Sequence, residues 1–430
     1  MLAACSSGST RTTKAANPKA PYNVYWDQNE EVDLLAMPSG TQSQLIPPWD
    51  PNGQLCVQPG GEGKFTTGYN PTLPGQHNPG GLKPYKQPPV GEAFWAANGD
   101  FTGVTVAVPG PYTLPGHSKG GDIPPDASAG NAYNDNGTYT GCAFDNHGNL
   151  FATDLGTAQG QMPPPDNGRL VEWFAPNFNT FCIVMGPTAG GTGPHHVDGT
   201  GGLRQPGLLT FAPNGDLFLP VAGDGQVLRI AAASLPTSAA ACGPDGLYPR
   251  SDVHSHVFVD RSTSQLLYPL AVARDPSCSC WGVDSVIGDP AVIWVDDNGK
   301  PLPKRGAVAG TGIGSPSGYS PFGLAFAPDG TLYFVDIHIA CKDKTLNDCG
   351  PVDNGGRIMK VTFPSGKPAA PVAVASGFNF PVSVTVCVPS VETCPYPTGA
   401  LKPPASGPPS TSAPAVGPSS QAPATAGNGG

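Results

Sequence analysis

The sequence predicts an all-β fold: a β-propeller of four-stranded antiparallel blades, six of them or seven, with long loops and disordered termini. Three observations carry this expectation. A hairpin phrase recurs along the chain. Gly and Pro, at 58 and 53 of 430 residues, supply turns in quantity. Long stretches of good helix formers are almost absent, which disfavours a helical protein. The hydrophobic share of 38%, with 6 Trp, 12 Tyr and 17 Phe, is enough to build a core between short strands.

The phrase is clearest as Phe326-Ala-Pro-Asp-Gly-Thr-Leu332-Tyr. It returns as Phe211-Ala-Pro-Asn-Gly-Asp-Leu217-Phe, as Phe144-Asp-Asn-His-Gly-Asn-Leu150-Phe and as Trp49-Asp-Pro-Asn-Gly-Gln-Leu55-Cys. Trp95-Ala-Ala-Asn-Gly-Asp-Phe101 is a looser fifth copy. Gly always follows the aromatic by four places, because a tight hairpin turn needs a positive φ that Gly adopts without steric cost. The flanking residues make two strands with a buried apolar face, so Phe144, Phe211 and Phe326 are expected at equivalent buried positions.

Three copies continue alike, through Asp166-Asn-Gly-Arg169-Leu-Val-Glu-Trp173, Asp224-Gly-Gln-Val227-Leu-Arg-Ile230 and Asp353-Asn-Gly-Gly-Arg357-Ile-Met-Lys-Val361. The unit is therefore strand, hairpin, strand, loop, strand, and a leading strand would complete a four-stranded sheet. Repeats of this length and content suggest propeller blades. About 370 core residues at roughly 60 per blade give six, with seven the alternative. The run Gly377-Phe-Asn-Phe-Pro-Val-Ser-Val-Thr-Val386 is then a last strand that pairs near the N-terminal segment and closes the ring. Closure removes exposed sheet edges that would invite aggregation.

The stretch from Thr140 to Asp154 with Asn167-Gly-Arg169-Leu-Val-Glu-Trp-Phe174 resembles an NHL repeat, as does Ser320 to Asp336 with Gly355-Gly-Arg357-Ile-Met-Lys-Val361. The Phe-x-Pro-Asp-Gly-x-Leu-Tyr phrase is also similar to gluconolactonase/regucalcin-like (SGL-type) and strictosidine synthase-like propellers. The resemblance covers residues 140–230 and 316–363 and is thin over 22–110 and 240–300. It implies a ligand- or partner-binding propeller. The alternative it implies is a metal-dependent hydrolase or lyase of the gluconolactonase/streptogramin-lyase kind, and after that a quinone-dependent sugar dehydrogenase.

Candidate site residues are acidic or imidazole-bearing. Asp154 and Asp336 each lie ten places after their aromatic, where the third copy has Val221. An Asp there either binds turn amides or joins a ring of carboxylates at a channel mouth, whose oxygen ligands would suit calcium or another divalent metal. His195, His196 and Asp198, the pair His254 and His256, and His338 beside Asp336 could ligate a transition metal. Peptide-amidating and streptogramin-type lyases, propellers of the NHL-like kind that the chain resembles, use histidines in that way. Glu92 is the candidate for the glutamate of a regucalcin-like metal set. The sequence holds no Gly-x-Ser-x-Gly elbow, Walker loop or Cys-x-x-Cys-His, so serine-esterase, nucleotide-binding and c-haem readings drop out.

Leu2-Ala3-Ala4-Cys5 resembles a bacterial lipobox, which makes Cys5 a lipidation site and implies an exported protein of the cell envelope, lipid-anchored or secreted. The apolar stretch that precedes such a box would lie upstream of Met1. Ten Cys remain of 11, an even number that fits disulfides in an oxidising compartment. Cys341 and Cys349 bracket a polar insert and are expected to pair, as are Cys387 and Cys394. Cys278 and Cys280 stand too close to bond without strain and are expected to reach elsewhere. The organisation expected is a tether over 1–21, a propeller over 22–394 and a disordered Pro/Ala/Ser/Gly-rich tail over 395–430. A net charge of −10 without a basic stripe argues against nucleic acid as a partner. The partners expected are a small molecule or protein on a propeller face, and a membrane reached through the lipid.

Overall fold

The computed structural model describes residues 19–28, 31–37, 39–46, 55–57, 64–65, 94–98, 103–106, 139–154, 168–174, 181–186, 202–243, 247–249, 253–310, 318–341, 349–352, 354–378, 381–388 and 396–397. Among them are one short α-helix, α1 (Arg261–Ser264), and a few single 3-10 turns; the remaining elements are β-strands.

Six sheets follow one another. The first holds β1 (Tyr22–Gln28), β2 (Glu31–Met37) and β3 (Thr41–Ile46). The second holds β4 (Leu55–Val57), β6 (Phe94–Asn98) and β7 (Gly103–Val106), with β5 (Lys64–Phe65) lying apart from it. The third runs β8 (Tyr139–Phe144), β9 (Leu150–Asp154), β10 (Arg169–Trp173), β11 (Phe181–Met185), and the fourth β12 (Thr210–Phe211), β13 (Leu217–Val221), β14 (Gln226–Ile230), β15 (Ser255–Asp260). The fifth runs β16 (Val272–Asp275), β17 (Cys280–Asp284), β18 (Val292–Asp296), β19 (Ala307–Val308). The sixth takes β20 (Pro321–Phe326), β21 (Leu332–Asp336), β24 (Gly356–Val361) and β25 (Val372–Phe378), with the small hairpin of β22 (Ile339–Cys341) and β23 (Cys349–Pro351) inserted. All pairs within these sheets are antiparallel.

The ring closes through β26 (Pro381–Cys387), which pairs antiparallel with β1, setting Val24 opposite Val386. The first sheet is thus built from both ends of the chain, in the order β26-β1-β2-β3. Strands β26, β4, β8, β12, β16 and β20 form the inner circle; β26 touches both β4 and β20, and β16 touches β20. Past the closing strand, β27 (Tyr396–Pro397) pairs in parallel with β5.

The recurring phrase maps onto the first hairpin of the third, fourth and sixth blades. Gly148, Gly215 and Gly330 have φ of 82°, 87° and 82°, the left-handed turn the spacing requires. One backbone bond recurs with it: Asp145 N–H donates to Asn149 C=O at 3.0 Å, Ala212 N–H to Asp216 C=O at 2.8 Å, and Ala327 N–H to Thr331 C=O at 2.8 Å. Leu150, Leu217 and Leu332 start the second strands and are fully buried.

Some expectations change. The fourth strand trails the phrase rather than leading it, since β11, β15 and β25 follow their blades' other three. The inner strand therefore carries the phrase, and the loosest strand lies at the rim. Phe144, Phe211 and Phe326 do hold equivalent positions at the ends of β8, β12 and β20, but of the three only Phe144 is buried. Phe211 and Phe326 are half-buried and pack edge-on against Phe151 and Trp294. Trp95 sits in β6, so its phrase spans the second and third described strands of its blade, and Trp49 lies outside the described residues. Cys278 and Cys280 bond to each other, not elsewhere. They stand on the β16–β17 turn with Cα atoms 5.2 Å apart, inside the range a disulfide spans. Cys182 and Cys242, 60 residues apart, form a second bridge.

Apolar side chains fill the seams between blades. Val24, Trp26, Val335, Ile358, Phe378 and Val384 join sheets six and one, and Leu170, Val184, Leu219 and Leu228 join three and four. Trp294, Leu324 and Phe334 join five and six. Burial of this kind, about 25 cal/mol per Å² of apolar surface, is the main force holding blade to blade.

Candidate functional site

Two features on the inner side of the ring invite a functional reading: a cavity on the axis, and a series of aspartates at the ends of second strands.

The cavity holds about 220 Å³. Four inner strands line it: β12 with Leu208 and Thr210 beside it, β16 with Ala273 and Arg274, β20 with Leu324 and Phe326, and β26 with Val384 and Thr385. Each of these strands stands at the edge of its sheet, so one row of its N–H and C=O groups has no partner strand and faces the axis. Side chains add aliphatic surface and two threonine hydroxyls. The Arg274 guanidinium is engaged elsewhere, paired with Asp297 and set 5.0 Å above the Trp281 ring. No Asp, Glu, Asn or His is among the described lining residues.

Asp336 is structural in its contacts. Asp336 ends β21 and is fully buried. Its Oδ1 accepts the backbone N–H of Ser320 at 2.9 Å and of His338 at 3.1 Å. Its Oδ2 accepts Arg357 Nε at 3.0 Å and pairs with the same guanidinium through Nη2. Arg357 faces Asp336 in register across β21 and β24. Arg169 stands opposite Asp154 in the same register in blade three.

Blade five supplies a member that the phrase did not reveal. Asp284 ends β17 as Asp336 ends β21, but the residue facing it is Val292. Its Oδ1 accepts Leu270 N–H at 3.1 Å and Ala271 N–H at 2.6 Å, and its Oδ2 accepts Gly323 N–H at 3.1 Å from blade six. With no cation opposite, burial pushes its carboxyl up to about 7, against the three amides that favour the charged form. The signal for Asp284 was the ending Gly-Val-Asp of β17, which matches Phe-Val-Asp of β21; the missing turn Gly before it hid the match.

Of the remaining candidates, His338 is half-buried with φ 50° and opens the inserted hairpin. His254 and His256 are exposed at the start of β15. Cys341 and Cys349 face each other in register across β22 and β23, and Cys387 ends β26 opposite Asn23. Cys5, Glu92, His195, His196, Asp198 and Cys394 lie outside the described residues.

No protein-family model matches the chain, and a search of curated proteins found no match. Among solved structures, the chain is similar to a streptogramin B lyase at 10% identity and TM-score 0.42, over 87% of this chain and 89% of that one. It is similar to a luciferin-regenerating enzyme at 11% identity and TM-score 0.42, over 83% and 94%. A calcium-binding protein, regucalcin, from Agrobacterium tumefaciens aligns at 11% identity and TM-score 0.39, over 77% and 82%. The fold stands on its own strand pairing, and likeness of this order adds no functional argument.

Proposed function

We propose that the chain is a binding propeller of the cell envelope, exported and anchored through lipid on Cys5, which takes a small molecule or a segment of a protein into its axial cavity. One observation carries this reading. The described lining of the cavity consists of edge strands with aliphatic side chains, Phe326, Thr210, Thr385 and Arg274, the last paired with Asp297, a surface that can hold a ligand by hydrogen bonds and contact. A hydrolase or lyase would need convergent groups able to move protons or polarise a bond. The Cys182–Cys242 and Cys278–Cys280 bridges support an oxidising compartment, in keeping with export.

Two experiments test the proposal. The purified chain is offered lactone and cyclic-depsipeptide substrates with and without divalent metals. Absence of turnover is the expected result, and metal-dependent turnover would favour the hydrolase or lyase alternative. For the anchor, the chain is expressed behind a lipoprotein signal peptide and partitioned in detergent. The protein is expected in the detergent phase, and the Cys5→Ala variant in the aqueous phase. Equal partitioning of the two removes the anchor.

A further inference from the structure

The β8–β9 hairpin differs in charge from its equivalents. In blade four, Arg229 faces Phe218 across β13 and β14, and its guanidinium pairs with Asp216 at 2.6 Å. In blade five, Asp275 on the equivalent turn pairs with Arg305 at 2.7 Å. In blade three the place of Arg229 is taken by Glu172, which faces Phe151. The phrase puts Asn149 where blade four has Asp216, and Asp145 where it has Ala212. One carboxylate and one guanidinium are thus replaced by two carboxylates.

Both carboxylates are buried, and Glu172 is fully so. Neither oxygen of Glu172 makes a hydrogen bond of good geometry among the described residues, although the Asn149 amide lies near enough to favour its charged form. Asp145 is better served: its Oδ1 accepts the N–H groups of His147 and Asn149, each at 2.8 Å, and its Oδ2 the Asn149 side-chain amide at 3.1 Å. Burial pushes Glu172 up to about 10, and the charge of Asp145 adds to the effect, with Asn149 opposing it. Burial raises Asp145 as well, with its own hydrogen bonds to His147 and Asn149 and the exposed His147 opposing the rise. Among the described residues no Lys or Arg pairs with either carboxylate; two buried carboxylates so placed are costly, and a ligand of charge +2 would balance them.

We propose that Glu172, Asp145 and Asn149 form a binding site for a divalent cation of the calcium class, held in place of the guanidinium that blade four carries. The ligands are the oxygens of the two carboxylates, with the Asn149 amide, whose Nδ2 donates to Asp145, holding that carboxylate in place; oxygens of this kind suit calcium better than thiol- or imidazole-seeking metals. The site is not part of the axial cavity's lining and does not depend on what that cavity binds.

The test uses the full chain, stripped with a chelator and unfolded by heat near neutral pH with calcium, with magnesium or with neither. A ligand that binds only the native state raises Tm as its concentration rises. Calcium is expected to raise Tm progressively and magnesium to raise it less. The isosteric variants Glu172→Gln and Asp145→Asn are expected to lose the calcium response. Without calcium, Glu172→Gln is expected to be at least as stable as the parent, which keeps the comparison readable. Equilibrium dialysis against labelled calcium is expected to lose one bound ion per chain in either variant. A parent chain whose Tm ignores calcium overturns the proposal, as does a calcium shift that Glu172→Gln retains. A Tm that follows pH but not calcium would show that a proton occupies the pair, and would equally overturn it.

Discussion

At the scale of single residues, the aspartates that end second strands show how one position takes two chemical states. Asp336 has Arg357 across the ladder; Asp284 has Val292. Arg357→Ala would leave a fully buried carboxylate with only its two amide donors, an arrangement that costs about 3 to 5 kcal/mol when both partners are buried. Because the Arg357 side chain is 28% exposed, water recovers part of this, and a loss of about 2 kcal/mol in urea unfolding is expected. Asp284 makes the opposite kind of contribution. Its carboxyl lies at about 7 in the folded chain and near 3.9 when unfolded. The native state therefore binds the proton more tightly, and this stability is present at low pH and lost as pH rises through about 7. Asp284→Asn turns one acceptor towards an amide donor and costs about 1 to 3 kcal/mol. It also removes the titration. The stability gap between parent and variant should be wide near pH 5 and narrow near pH 8; a gap that stays constant would show that Asp284 does not titrate there. The sequence made Asp336 visible by its place after an aromatic, but its saturation by Ser320, His338 and Arg357 is a tertiary fact. Glu172 was still less visible, since a Glu between Val171 and Trp173 looks like the solvent face of an alternating strand.

At the scale of elements, the hairpins were the most legible part of the fold. Gly148, Gly215 and Gly330 must take a positive φ, so composition and spacing are fixed at each copy. Blade five escaped because its turn has no Gly and its register is shorter: Asp275 pairs with Cys280, five places on, whereas Phe326 pairs with Leu332, six on. The Cys278–Cys280 bridge stands at that turn. The inserted hairpin of blade six carries an expectation of its own. Cys341 and Cys349 are register partners, and directly opposed residues in an antiparallel pair have Cα atoms about 4.5 to 5.5 Å apart, within disulfide range. Peptide mapping without reductant should find them bonded. Replacing both with Ser should speed proteolytic cleavage between them and lower stability by about 2 to 3 kcal/mol, without abolishing cooperative unfolding. Mapping that joins either Cys to another partner would refute the clip.

At the scale of the whole molecule, closure decides the architecture. An open row of sheets would leave two exposed edges, and the strand pairing removes them by setting β26 beside β1. Tyr22 and Tyr333 add a hydroxyl–hydroxyl bond of 3.0 Å between the first and sixth sheets. The closing strand could be read from the sequence because Val382, Val384 and Val386 alternate with small polar residues, while its partner in β1 could be named only approximately. The axial cavity was not legible, because strand-edge backbone lines much of it and backbone has no sequence signature. The most direct test of the ring is a designed cross-link between its two ends, Val24→Cys with Val386→Cys, in the full chain. Non-reducing peptide mapping should find the two introduced cysteines joined to each other in near-complete yield, with the native secondary structure retained. Introduced cysteines that stay free, or that pair with native cysteines in a chain that still folds, would contradict a ring closed by β26 against β1.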